Sequence, residues 1–215
     1  RLSHDIRSPL ESSLRVLQFT KLSLADEDIE QAKETVKIVE NQITKLGGLV
    51  NDILAIRKLQ LTEENNTLVS LPIIVENALE KFSHMDHFER LSINSHFMYT
   101  ELIKTKKAAI TSILENLISN AIKYQDLAEE QSCIDIECFE KDQQIVVQIS
   151  DNGLGINKRY HDRIFRMFQR FHGGTAQGSG LGLYFIKKNT DSIGGTVEFI
   201  PLEKGSRFRL TIPKG

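Results

Sequence analysis

Seven of the thirteen glycines in this 215-residue chain fall in two loops: Asp151-Asn152-Gly153-Leu154-Gly155, and Gly173-Gly174 continuing to Gly178-Ser179-Gly180-Leu181-Gly182-Leu183. Glycine weakens helices and strands alike, so this concentration marks a place where the backbone itself meets a ligand. The first loop follows the apolar run Gln144 to Ser150, and the second runs into a helical pattern. Strand ends and helix starts are where unpaired N–H groups can hold phosphate. Either loop alone reads equally well as a solvent-exposed turn. A third group lies upstream, where Asn116, Asn120 and Lys123 are spaced four and three apart and share a helix face. A carboxamide oxygen suits Mg²⁺, which binds through few protein ligands plus phosphate oxygens, and a lysine adds a point charge for phosphate. Alone, such a face is more often simply solvated.

The elements that must position these groups fall in two regions. Residues 1 to about 61 contain one proline, Pro9, and two long helical patterns. The first spans about 1–22, with Leu2, Ile6, Leu10, Leu14 and Leu17 on its apolar side. The second carries Ile29, Ala32, Val36, Val39, Ile43, Leu46, Val50 and Ile53 at alternating spacings of three and four, an a/d seam. The polar stretch 23–28 predicts an antiparallel hairpin. Two helices cannot enclose a core alone, so a four-helix bundle across a homodimer is expected, or docking elsewhere on the same chain. After the break at 62–67 the pattern changes to short strands (67–71, 91–97, 100–104, 132–140, 143–150, 196–201, 206–212) mixed with helices (from Pro72, 106–124, 158–168, 179–192). The order is not strictly alternating, which predicts an α+β sandwich, one mixed sheet covered by helices.

Composition narrows the function classes. A net charge of −2 gives no bulk attraction to nucleic acid or membrane. No apolar run reaches the ~20 residues needed to span a bilayer. Cys133 and Cys138 are five apart in a strand-like segment, on opposite faces, and suit a reducing compartment. The opening at Arg1, inside a helical pattern, reads as a fragment of a longer protein. His84 and His87 have metal-like spacing but no further ligands nearby, so a surface role is expected.

Taken in order, Ser3-His4-Asp5-Ile6-Arg7-Ser8-Pro9-Leu10, the asparagine helix Glu115 to Tyr124, Asp151 to Gly155, Ile164 to Phe171 and Gly178 to Leu183 resemble the catalytic core of a sensor histidine kinase of two-component systems. Each motif alone is weak to moderate in specificity, the five in the family's order and spacing are strong, and the resemblance covers nearly the whole chain. The resemblance implies a dimerization and phosphoacceptor domain (1–61), a linker (62–67) and a GHKL-type ATP-binding domain of the Bergerat fold (68–215). His4 would be the phosphoacceptor and Asp5 its orienter, accepting a hydrogen bond from the second ring nitrogen. Ser8 stands where many relatives carry Thr or Asn, which position water for dephosphorylating the partner. Pro9 predicts a bend just beyond His4.

For ATP and Mg²⁺ the resemblance assigns Asp151 to the adenine amino group, with Gly153 and Gly155 allowing the base to approach. Asn116 and Asn120 would hold the metal, Lys123 a phosphate and Tyr124 the nucleoside. Gly178, Gly180, Leu181 and Gly182 would cradle the phosphates at a helix start. Phe165, Phe168 and Arg170 lie in the segment before the lid 172–177 and join the nucleotide set, with core packing the equal reading for both phenylalanines. Lys106-Lys107 departs from relatives, which often have an acidic residue there. The implied activity is ATP-dependent autophosphorylation of His4, then phosphoryl transfer to an aspartate of a response-regulator receiver domain. The implied setting is a cytoplasmic homodimer without membrane contact of its own, including the case of the cytoplasmic part of a membrane-anchored sensor. The alternatives are another ATPase of the same nucleotide fold and a non-catalytic, nucleotide-binding dimerization module.

Overall fold

The computed structural model describes residues 11–21, 28–61, 65–167, 169, 171 and 180–214, with α2 side chains described as far as Thr44 and at Gly47. The chain divides into two compact units at Leu61. The first is a helical hairpin of α1 (11–21) and α2 (Ile29–Leu61). The Asp28 carboxylate caps α2 by accepting from the Gln31 N–H at 3.0 Å. Ser13 Oγ donates to Gln42 Oε1 at 2.6 Å and Thr20 Oγ1 to Thr35 Oγ1 at 2.7 Å, which fixes the helices antiparallel. These short polar groups, with Ala32 and Val39, form the buried seam.

The seam leaves the larger apolar residues outside it. Leu14 and Leu17 do not face α2; they are 56% and 41% exposed. Their place is taken by Ser13 and Thr20, one helical flank away, because small hydroxyls satisfied across the seam let the two backbones approach closely. Ile29, Val36 and Ile43 of the expected a/d pattern are exposed as well. Residues 1–10 and 22–27, with the side chains of Leu46, Val50 and Ile53, lie outside the described set.

The second unit is an α/β sandwich. Its main sheet has the order β2-β4-β5-β7-β6, formed by Leu91–Phe97, Ser132–Lys141, Gln144–Asp151, Ser206–Pro213 and Thr196–Pro201. β2 runs parallel to β4 and the other pairs are antiparallel. A separate antiparallel pair joins β1 (Thr67–Val69) to β3 (Ile103–Thr105). Alternate residues of β4, Ile134, Ile136 and Cys138, are fully buried against Ile113, Leu114, Leu117 and Ile118 of α4 (Lys107–Lys123). β5 is central, so its outward residues are buried too, and being polar they are bonded: Gln148 to Glu137 and Arg209, Ser150 to Arg207. α3 (Leu71–Phe82) and α5 (Gly182–Ser192) pack beside α4, and Pro72 sits in the first turn of α3.

Boundaries moved where the backbone had other partners. The strand expected at 100–104 lies at Ile103–Thr105, because the N–H groups of Met98 and Tyr99 both turn back onto the Cys138 carbonyl. The helix expected over 158–168 is a 3₁₀ helix at Lys158–Arg163, capped by the Asn157 side chain and held by a 2.8 Å bond between His161 Nε2 and the Ile156 carbonyl. The β4–β5 turn is Asp142-Gln143, both at positive φ, the mirror-type hairpin turn. Among the described residues no helix is long and apolar enough to cross a membrane, and no group of His, Cys, Asp or Glu could hold a metal. Cys133 and Cys138 are both unbridged.

Candidate functional site

α4 is the platform for the first glycine loop and for the start of α5, where the described part of the second begins. At its end the Tyr124 carbonyl accepts the Leu154 N–H at 3.0 Å. A Cβ on Gly153 would stand 2.3 Å from that carbonyl, so only glycine lets the loop lie so close. Just over two turns earlier, a Cβ on Gly182 would lie 3.1 Å from Asn116 Oδ1. The base-side loop and the start of α5 therefore bracket the face that carries Asn116, Asn120, Lys123 and Tyr124. Gly180, at φ 75°, turns the chain into α5, and Leu181, fully buried, pins the helix start to the core. The first N–H groups of α5 have no partner within the helix, which is the chemistry that suits an oxyanion.

Asp151 closes β5. It accepts the Gly153 N–H at 3.0 Å and the Ser206 N–H, yet burial pushes its carboxyl up to about 6. Asn152 is a structural clamp: its Oδ1 accepts from Cys133 N at 2.7 Å and its Nδ2 donates to the Gln131 carbonyl at 2.9 Å. Gly155 has φ 62°, and Gly205, at φ 80°, lies directly beneath the Asp151–Asn152 backbone.

Asn116 Nδ2 donates to the Ser112 carbonyl at 2.8 Å, leaving the amide oxygen at the start of α5. Asn120 lies one turn further on, half-buried. Two neutral carboxamides beside a helix start form a donor set that fits Mg²⁺ carried in on a nucleotide. Phe165 instead packs against the core, its ring centroid 6.5 Å from that of Phe208 and nearly perpendicular to it. That geometry favours the packing alternative. His4, Asp5, Ser8, Phe168, Arg170, Gly178 and the lid lie outside the described residues. His84 and His87 are exposed. Gly205 and Ser206 were legible in the sequence only as a hairpin turn and a strand start. Their contacts with Asp151 span 54 and 55 positions, and no local pattern signals them.

Residues 105–215 match the family model described as histidine kinase-, DNA gyrase B-, and HSP90-like ATPase. The chain belongs to this ATPase family. Within it, the resemblance is to sensor histidine kinases. Over 212 residues the chain is 28% identical to the signal transduction histidine-protein kinase BarA of Escherichia coli (strain K12), covering 92% of this chain and 22% of that protein. It thus spans about a fifth of that relative's length. Among solved structures, Acinetobacter baumannii histidine kinase AdeS superposes with TM-score 0.74 at 22% identity, over 99% of this chain and 98% of that one. Histidine kinase ThkA in complex with response regulator protein TrrA gives 0.75 at 21% identity, over 100% of this chain and 60% of that one. At these identities the superpositions show the fold.

Proposed function

We propose that this chain is the catalytic core of a cytoplasmic, homodimeric sensor histidine kinase that transfers the γ-phosphoryl group of Mg-ATP to His4 and then to an aspartate of a response regulator. The observation that carries this reading is the α4 platform, with Asp151 and its glycine loop at one end and Asn116 against the start of α5 nearer the middle. The spacing suits a molecule with a base at one end and phosphates at the other. Asp151 would accept from the adenine amino group, Tyr124 would meet the nucleoside, and Lys123 with the start of α5 would meet the phosphates. Asn116 and Asn120 would hold Mg²⁺, which when bound neutralises charge on the phosphates.

His4 supplies the acceptor. A neutral imidazole nitrogen attacks the γ-phosphorus as the bond to the β-phosphate oxygen breaks and ADP leaves. Asp5 accepts a hydrogen bond from the second ring nitrogen and so stabilises the imidazolium that forms. The complex of ThkA with response regulator protein TrrA supports a response-regulator partner, whose proposed docking place is the hairpin near His4. Incubating the protein with γ-labelled ATP and Mg²⁺ is expected to give an acid-labile, alkali-stable label on the parent and none on His4→Gln. Label that persists in H4Q, or no label on either, overturns the kinase reading.

The hairpin supports dimerization. Leu14, Leu17, Ile29, Val36 and Ile43 are exposed on one flank, beside a groove of about 400 Å³ reached by Thr20, Ile29, Ala32 and Val36. Two such flanks would close a four-helix bundle. Val36→Glu is expected to bury a charge there and to shift sedimentation equilibrium from dimer to monomer; an unchanged dimer mass contradicts this interface.

A further inference from the structure

The helices that frame the proposed metal and phosphate site are joined by a polar contact buried deeper in the sandwich. Asn189, on α5, is 1% exposed, and its Nδ2 donates to Ser112 Oγ on α4 at 3.1 Å. Ser112 is the same residue whose carbonyl holds Asn116 Nδ2 at 2.8 Å. Ser112 and Asn116 are four apart on α4, and Gly182 and Asn189 seven apart on α5, so each pair shares a helix face. The two helices therefore meet twice along one line: Gly182 against the Asn116 oxygen, and Asn189 against the Ser112 hydroxyl.

This arrangement is costly as packing. Asn189 Oδ1 and the neighbouring Thr190 Oγ1 are buried without a hydrogen-bond partner among the described residues. A leucine has the same branched four-atom side chain and no orphaned acceptor, with bulkier methyl groups in place of the amide. What a leucine lacks is direction. An apolar contact tolerates sliding and rotation of α5 on α4, whereas an amide bonded to one hydroxyl admits a single register. That register fixes how far the start of α5 stands from the Asn116 oxygen.

We propose that Asn189, acting through Ser112, is a positioning residue that aims the Asn116 carboxamide and the start of α5 at one metal–phosphate unit. This rests on the reading of Asn116 as a metal ligand. Outer groups that orient a ligand commonly change metal affinity by tenfold or more when removed. The clasp therefore sets the Mg²⁺ requirement for nucleotide binding rather than base recognition, which lies at the Asp151 end of α4.

The test uses the full chain and a fluorescent ATP analogue, titrated with Mg²⁺ and, separately, in EDTA. Asn189→Leu is expected to raise the Mg²⁺ concentration for half-maximal nucleotide binding by about tenfold. It leaves the metal-free affinity at the parental value. Ser112→Ala shifts it in the same direction and carries the test if N189L does not fold. In an Asn116→Ala background, N189L is expected to add nothing. Parental Mg²⁺ dependence in both N189L and S112A while N116A is shifted overturns this proposal alone. Equal losses with and without Mg²⁺, or a full N189L effect on top of N116A, overturn it as well. Parental Mg²⁺ dependence in N116A itself removes the metal-ligand reading and the proposal with it.

Discussion

Gly205→Ala is expected to cost most of the stability of the nucleotide-binding unit. A Cβ at this position would stand 1.8 Å from the Asp151 carbonyl oxygen and 2.7 Å from Asn152 Cα, far inside van der Waals contact with backbone. Gly205 is also at φ 80°, a conformation that costs an L-residue about 1–2 kcal/mol before any clash. The strand pair cannot yield cheaply, because Ser206 pairs with Asp151 and the ladder continues through Pro213 opposite Gln144. A loss of about 4 kcal/mol or more places this change in the severe tail of single substitutions and takes much of the ~5–15 kcal/mol a domain has. Denaturant melts of parent and variant measure it, and a parental midpoint for G205A refutes the tight approach. Gly47 is the control. It sits exposed within α2 with nothing within 4 Å of a new Cβ, so Gly47→Ala is expected to stabilise the hairpin by about 0.5–1 kcal/mol.

The same two glycines separate what the sequence discloses from what it hides. Local periodicity and punctuation were readable: β2 and β6 begin and end where alternation and flanking turns put them, and α4 differs from its expected bounds by one residue at each end. The chemistry-bearing face of α4 was readable because it depends only on spacings of three and four. Hidden features are those decided by a distant partner. The groups that hold Asp151 from below come from the far hairpin, and the close approach to the Asn116 oxygen comes from the start of α5. The inner seam of the hairpin was hidden for a related reason. Hydrophobicity ranks Leu14 above Ser13, but whether a serine is buried depends on Gln42 waiting across the seam. The helix expected near 158–168 is shorter and of 3₁₀ type, since the Asn157 and His161 side chains offer the backbone bonds that an α-helix would have made.

Asp151→Asn is expected to move stability and nucleotide binding in opposite directions. In the unfolded chain this carboxyl takes up its proton near 3.8, and in the fold at about 6. Between those values the folded state holds more protons than the unfolded one, so stability falls as pH rises through the window and stays reduced above it. The difference corresponds to about 3 kcal/mol of strain at neutral pH, set by burial and only partly offset by the Gly153 and Ser206 N–H groups. Asparagine removes the charge but has one acceptor atom where the carboxylate has two, so its NH₂ takes one of the two oxygen positions. A net gain of about 1–2 kcal/mol at pH 7.5 is therefore expected, shrinking towards zero by pH 4–5. Binding behaves oppositely. On the proposed reading the carboxylate accepts from the adenine amino group while holding both backbone donors, a task one amide oxygen cannot share. D151N is expected to lose about ten- to a hundredfold in affinity for ATP, the worth of a charge-assisted bond. The parent's affinity is expected to fall as pH drops below about 6, where the carboxyl protonates, and D151N to show no such dependence. Thermal melts across pH 4–8 and calorimetric titration with ATP read the two halves separately. A variant that melts lower than the parent at pH 7.5 refutes the burial cost, and one that binds ATP normally refutes the assignment of Asp151 to the base.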